Sequence, residues 1–245
     1  MTAPKPTTHR GGNVTMKTVA ERAGVSVSVV SRVLNGHAKR FRIAETTEKK
    51  VREAASELAF RPNRVAKSLA SNRTSLVGII VPDVSNPFFA SISRQVTLAA
   101  ESFGYSVIFG DSRETTEIER RLLDELVDRQ VEGLVVCPVG RHREHLESIH
   151  RSGLPIVLAD RTFDDCPLAQ VTSRHTEGAD RLARQLMDAG HRRIGVLQGL
   201  PGTLPNEDRI RGIRKAMKRR GLTLQPGLIA GDNFTEASGF DAATK

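Results

Sequence analysis

Residues 15–34 read TMKTVAERAGVSVSVVSRVL. Thr15 is a helix N-cap residue type, and Val19, Ala20 and Ala23 follow at spacings that share one helical face. Gly24 stands where such a helix ends, because glycine enters a left-handed turn without strain. Ser26 can cap a second helix with Val29, Val30, Val33 and Leu34 facing inward. By propensity alone VSVSVV is also a good strand; the flanking caps and the three-to-four spacing of the apolar residues decide for helix. Two short helices joined by a glycine-containing turn make a helix-turn-helix. A third helix is expected over about residues 45–59, with Val51, Ala54, Ala55 and Leu58 on its inner face.

The charge is concentrated around this stretch. The chain of 245 residues has a net charge of +9. Residues 1–74 hold 15 Lys+Arg and 5 Asp+Glu, and the rest hold 22 and 23, so the first part carries a net +10 and the remainder −1. A basic module on a near-neutral body is the footprint of nucleic-acid binding, although a basic solvated surface alone gives the same count. No stretch pairs a wide apolar face with a basic one, and no run approaches the ~18 apolar residues of a membrane span. Residues 1–14, MTAPKPTTHRGGNV, lack the apolar core of a secretory signal and read as a disordered tail. Two cysteines, Cys137 and Cys166, make neither a disulfide framework nor a cysteine metal site, so a cytoplasmic location is expected.

In a helix-turn-helix the second helix enters the major groove with its early residues toward the base edges. Val27 and Ser28 lie there, and Arg32 lies one turn on. Valine can touch a thymine methyl, serine can bond a donor or an acceptor, and arginine can read guanine through two bonds. Ser31, Asn35 and the cluster Lys39, Arg40 and Arg42 suit phosphate contacts, which give affinity rather than sequence choice. Thr15 belongs to the same DNA-facing set. Ordinary solvated helix surface is the competing reading of Ser28 and Ser31.

From Leu76 onward the pattern changes. Short apolar runs at 76–82, 105–110, 133–138, 155–160, 169–173, 193–199 and 228–232 alternate with helical stretches at 88–103, 114–130, 175–190 and 206–220. Alternation of this kind implies a parallel sheet covered by helices. The expected organisation is a tail over 1–14, a helix-turn-helix domain over 15–60, a linker over 61–75 (RPNRVAKSLASNRTS) and an α/β body over 76–245. Ligands of open α/β sheets bind beyond the carboxyl ends of the strands. Asp83, Asn86, Asp111 and Asp160 fall at such ends, and Phe88 and Phe89 follow closely, where a ring could stack on a sugar or a base. Helix packing is the competing reading for one of the two rings.

The strings VAERAGVSVSVVSRVLNG, RPNRVAKSLA and TSLVGIIVPDVSNPFF, in this order, resemble the LacI/GalR family of bacterial transcription regulators. The resemblance runs from about Thr15 to the last residue. It implies a homodimer on a near-palindromic double-stranded operator, usually as a repressor. It makes residues 63–70 a hinge helix that forms on DNA, with Asn63, Arg64 and Lys67 beside the duplex and Leu69 as a minor-groove wedge. An eight-residue helix is marginal alone, and a wedge must be presented from an exposed surface, so the physics agrees. The resemblance also implies a periplasmic-binding-protein-like core of two α/β subdomains, incomplete at its C-terminal end, with a small-molecule effector between them. Asp83, Phe88, Phe89, Asp160 and Arg209 match the family's pocket positions. The effector is expected to be a sugar or a purine-like molecule, and no cofactor is implied. Three departures stand out: Val29 replaces a usual threonine, Ala44 replaces a usual capping serine, and the loop GHAKRFRI (36–43) is longer than the common form. In the family the body continues for about another third of the full length.

An enzyme is not supported, because the sequence has no GxxxxGK[ST] loop, no GxSxG elbow and no GxGxxG after a strand. His142, His145 and His150, on an expected surface helix, lack complementary ligand spacing for a metal. The alternative of a sugar-binding protein of the same core fold without DNA binding leaves the basic head without a purpose.

Overall fold

A computed structural model describes residues 14–60, 73–140 and 142–244. Asn63, Arg64, Lys67 and Leu69 lie outside the described residues. The chain divides into two compact units, one up to Arg73 and one from Thr74.

The first unit contains α1 (Met16–Ala23), α2 (Val27–Leu34) and α3 (Glu45–Glu57). Thr15 and Thr18 form a reciprocal capping box, each hydroxyl accepting the other's backbone N–H at 3.3 Å. Gly24 closes α1 at φ 66°, donating to the carbonyls of Ala20 and Glu21. The Ser26 hydroxyl accepts from the Val29 amide at 3.4 Å, which starts α2. Ala44 gives α3 no side-chain cap. Val19, Val30, Val33 and Val51 are fully buried, with alanines 20, 38, 54 and 55 around them. Short side chains let the three helices approach closely, and each buried valine contributes about 1.5–3 kcal/mol.

The second unit begins with a five-stranded parallel sheet. Its strands are β1 (Leu76–Val81), β2 (Ser106–Asp111), β3 (Leu134–Val136), β4 (Ile156–Ala159) and β5 (Ala169–Val171), in the order β2-β1-β3-β4-β5. Leu76 pairs with Ser106, Gly78 with Leu134 and Leu134 with Ile156, so the carboxyl ends of β1, β3 and β4 align. The crossovers are α4 (Pro87–Ser102), α5 (Thr116–Asp128) and α6 (Glu144–Arg151). Alternate strand residues face opposite sides. Ile80, Leu134, Val136, Ile156 and Leu158 meet Leu123 and Leu126 of α5 and Leu146 of α6. Ile79, Val81 and Cys137 meet Phe89 of α4. Burial pushes the Cys137 thiol up to about 12.

Beyond β5, α7 (His175–Asp188) packs along α8 (Leu204–Arg219), with Ala183, Met187, Ile210, Ala216 and Met217 buried between them and their neighbours. β6 (Val196–Leu197) and β7 (Ile229–Ala230) pair in parallel as a separate two-stranded sheet. The apolar runs 193–199 and 228–232 thus shrink to two-residue strands. Gly195, Gly199 and Gly231 lie beside them, and among the described residues each strand has one partner to hold its backbone. A final helix, α9 (Glu236–Thr244), forms where the sequence reading placed none; of its residues only Ala242 is buried. No helix among the described residues is long and apolar enough to cross a membrane.

Candidate DNA-reading surface and effector cavity

On the first unit, the exposed side of α2 carries Val27, 44% accessible, with Ser28 and Arg32. Ser28 is not wholly unengaged, since its hydroxyl lies 2.9 Å from that of Ser26. Ser31 and Asn35 are half-buried and bonded to one another: the Asn35 amide donates to the Ser31 carbonyl at 2.8 Å and reaches its hydroxyl at 3.3 Å. Asn35 therefore closes α2, and its amide must leave that cap to hold a phosphate. The Thr15 hydroxyl is likewise occupied by its capping box. Lys39, Arg40 and Arg42 are exposed around the following loop. Arg32 is not extended into solvent alone, because its guanidinium carbon lies 4.1 Å from the centroid of the Phe41 ring. Sequence reading passed over Phe41; its signal was a lone aromatic residue within the cationic run KRFR.

On the second unit, Asn86, Phe88, Phe89, Asp160 and Arg209 come together around a cavity of about 170 Å³, joined by Arg161, Pro205 and Phe234. The Asn86 carboxamide caps α4 by accepting from the Phe88 amide at 3.0 Å. That cap and Pro87 fix how α4 leaves the carboxyl end of β1. Phe88 is half-exposed and Phe89 buried, their rings edge to face at 5.2 Å. Phe89 thus serves core packing while Phe88 presents a ring surface.

Asp160 follows β4 with φ 66°, a left-handed conformation. Its backbone is pinned by donation to the Val171 carbonyl at 2.9 Å and by the Thr172 hydroxyl, which donates to its carbonyl at 2.7 Å. Burial holds the Asp160 carboxyl above the usual aspartate range, while the positive groups of His175, Arg161 and Arg209 pull it back. His175 is pushed down, first by burial and then by Arg209, with Asp160 opposing. The cavity therefore sets the Asp160 carboxyl beside the guanidinium groups of buried Arg161 and exposed Arg209, an arrangement suited to hydroxyl or ring-nitrogen recognition.

Three of its walls escaped sequence reading. Arg161 is 1% exposed; its two terminal nitrogens each lie 2.6 Å from Glu114, and one also donates to the Val139 carbonyl at 2.9 Å. The guanidinium faces both Phe89, at 5.7 Å, and Phe234, at 5.3 Å. The Phe234 ring, also 5.6 Å from the Arg209 guanidinium, rests on Gly199, where an added Cβ would come within 1.8 Å of it. The Gly199 amide donates to the Asn206 carboxamide of α8 at 2.9 Å, which holds this seat in place. A charged residue directly after an apolar run was the available signal for Arg161. Pro205 and Phe234 had none.

Asp83 does not line this cavity. Its carboxylate accepts from the amide and the hydroxyl of Ser85, at 2.8 and 2.6 Å, and faces an adjoining cavity of about 780 Å³ with Phe240 and Asp241. Asn86 and Phe234 border both spaces. Asp111 ends β2 and accepts from the Arg113 amide. The helix of the histidine cluster is not wholly a surface helix: the His145 side chain is 8% exposed and lies 2.8 Å from the buried Glu119.

Comparison with known proteins follows the same division. Residues 15–63 match the family of bacterial regulatory proteins described as lacI, and residues 74–245 match periplasmic binding proteins and the sugar-binding domain of that family. The chain belongs to the LacI family. It is 33% identical over 234 residues to catabolite control protein A of Priestia megaterium, covering 95% of this chain and 70% of that protein. The sucrose operon repressor of Klebsiella pneumoniae is 29% identical, with 93% and 68% covered. Among solved structures, the lac repressor dimer bound to operator and the anti-inducer ONPF superposes with a TM-score of 0.81 at 26% identity, covering 94% of this chain and 68% of that one. These relatives are transcription regulators, and this LacI-family chain spans about two thirds of their length.

Proposed function

We propose that this chain is a ligand-responsive transcription regulator, acting as a repressor, that binds a near-palindromic operator as a homodimer in the cytoplasm. The observation that carries this reading is the capped helix-turn-helix with Val27, Ser28 and Arg32 on the exposed side of its second helix. Val27 and Ser28 take base edges, and Arg32 reads a guanine. Lys39, Arg40 and Arg42 hold phosphates, with Thr15, Ser31 and Asn35 joining them when their caps exchange. Family resemblance adds Asn63, Arg64 and Lys67 beside the duplex and Leu69 as the wedge at the operator centre.

The effector is a sugar or a purine-like molecule, held at Asn86, Phe88, Asp160 and Arg209, with Phe89 as support and Asp83 at the adjoining space. The mixture of one carboxyl, one carboxamide, two guanidinium groups and aromatic faces supports this chemistry. Effector binding then alters DNA affinity, coupling two distinct sites.

The test is fluorescence anisotropy on a symmetric duplex with a central CG step, against a scrambled duplex, across a salt series. Selective binding with a steep salt slope is expected. Weak binding that ignores sequence would refute operator recognition by this chain. Arg32→Ala should cost about 1–3 kcal/mol and relax the preference at one base pair; an equal loss on every sequence would reassign Arg32 to a phosphate.

A further inference from the structure

We propose that Phe41 is a positioning residue that sets the sequence preference of Arg32, an inference that rests on the DNA-binding reading above. Phe41 is 43% exposed, on a head whose other aromatic residue, Phe60, packs against the core. A ring left at the surface of so small a unit costs apolar exposure unless something covers it. Here the cover is cationic: Arg32 lies 4.1 Å from the ring centroid and Arg40 lies 5.8 Å from it.

The loop that carries the ring is built to hold it. Ala38 is 3% exposed and plugs the helical core. Around it the backbone closes on itself: Phe41 donates to His37 at 3.1 Å, Arg42 to Lys39 at 3.1 Å and Ile43 to Ala38 at 3.0 Å. At the loop's start, His37 donates to the carbonyl of Arg32 itself at 2.8 Å. The loop is thus tied to Arg32 twice, by the backbone bond from His37 and by the contact of the Phe41 ring with the guanidinium. Among the described residues, no ion pair with a carboxylate competes for Arg32.

Stacking and base reading use different parts of a guanidinium. The ring lies against the guanidinium carbon, and the five N–H groups around that carbon stay available to a guanine edge. A stacked arginine has also surrendered part of its rotamer freedom before DNA arrives, so less is lost on binding. The basic neighbours Lys39, Arg40 and Arg42 would otherwise repel Arg32, and the electron-rich face offsets this. Phe41 acts on DNA through Arg32 and need not touch a base.

The contact corresponds to about two- to fivefold in an equilibrium, the range for exposed cation–π pairs. The experiment compares wild type, Phe41→Leu, Phe41→Tyr and Arg32→Ala in the full chain. The reporter is competition anisotropy against every single-base variant of the duplex that wild type selects from a random pool. The expected result has three parts. Arg32→Ala flattens the preference at one base pair. Phe41→Leu lowers the preference at that same pair about two- to fivefold and leaves the others unchanged. Phe41→Tyr, which keeps the π face, preserves it. Without DNA, NMR of the free chain should place the Arg32 Nε–H proton upfield by ring current in wild type and Phe41→Tyr but not in Phe41→Leu.

Equal weakening on all duplexes by Phe41→Leu, with the Arg32 proton unmoved, overturns the proposal and makes Phe41 structural. A changed preference at a base pair other than that of Arg32 overturns it in favour of direct contact by the ring. If wild type selects no sequence, the operator reading falls and this proposal with it. Selectivity retained unchanged in Phe41→Leu defeats the Phe41 role alone.

Discussion

Replacing Glu114 by alanine should cost the second unit far more than a surface ion pair is worth. Arg161 is 1% exposed and Glu114 is 26% exposed, so the pair is asymmetric. Loss of the carboxylate strands a buried guanidinium with the Val139 carbonyl as its remaining hydrogen-bond acceptor. Breaking a buried pair by removing one partner costs about 3–5 kcal/mol, and water entering beside the truncated Glu114 brings the expectation to the lower end. For a unit of this size each kcal/mol shifts Tm by roughly 2–4 °C, so Glu114→Ala should melt roughly 6–12 °C below wild type. A second change isolates the cause. Arg161→Met removes the stranded charge and keeps much of the volume, so the variant carrying both substitutions should recover several degrees over Glu114→Ala. Differential scanning calorimetry of the three variants reads this directly. A drop of under about 2 °C for Glu114→Ala, or a double variant no better than the single one, would refute the claim that an uncompensated buried charge sets the cost.

Ala44→Ser should supply the cap that α3 lacks, since the backbone at residue 44 is already in N-cap geometry (φ −58°, ψ 141°); a gain of about 0.5–2 kcal/mol is expected in denaturant unfolding of the head, and no gain would mean the serine hydroxyl does not reach the helix start. Gly212→Ala should destabilise by about 1–3 kcal/mol although alanine is the better helix former, because its Cβ would come within 2.2 Å of the Thr176 carbonyl where α7 and α8 cross; a rise in Tm would show that the helices can part. Asp160→Asn tests the buried carboxyl. A folded-state value raised above the ordinary 3.8 means that stability is lost as pH rises through it, so asparagine should raise Tm at pH 7 and not at pH 3. Asparagine also tolerates the left-handed backbone there. Equal effects at both pH values would remove the electrostatic explanation, and weaker effector binding by this variant should accompany the gain.

The head was readable because its instructions are local. Thr15, Gly24 and Ser26 each act within four residues of themselves, and the apolar spacing between them has one helical solution. The large sheet was readable for a similar reason, since β1, β3 and β4 bury both faces and are apolar throughout. What escaped were features made by residues far apart in the chain. Arg161 meets Glu114 across 47 positions, and nothing near either predicts a buried pair. His145 meets Glu119 in the same way, which turned a supposed surface helix into a partly buried one. Phe234 is placed by a glycine 35 residues before it, and Phe41 by a loop whose departure in length was visible but whose fold was not. Among the cavity positions, Phe88, Phe89 and Asp160 were found because strand ends and family resemblance agree, Asn86 by its strand end alone and Arg209 by resemblance alone, whereas Asp83 satisfied both criteria and turned its carboxylate to Ser85.

The seat of Phe234 on Gly199 makes the aromatic wall of the cavity removable by one codon. Any side chain at residue 199 occupies the space of the ring, so the ring must move, and with it the wall of both spaces that it borders. A duplicated gene could in this way acquire a new chemical signal while its helix-turn-helix, and with it the set of promoters it visits, stayed as it was. The signal and the address of such a regulator can evolve separately, and a missing methyl group is where the first of them is kept open to change.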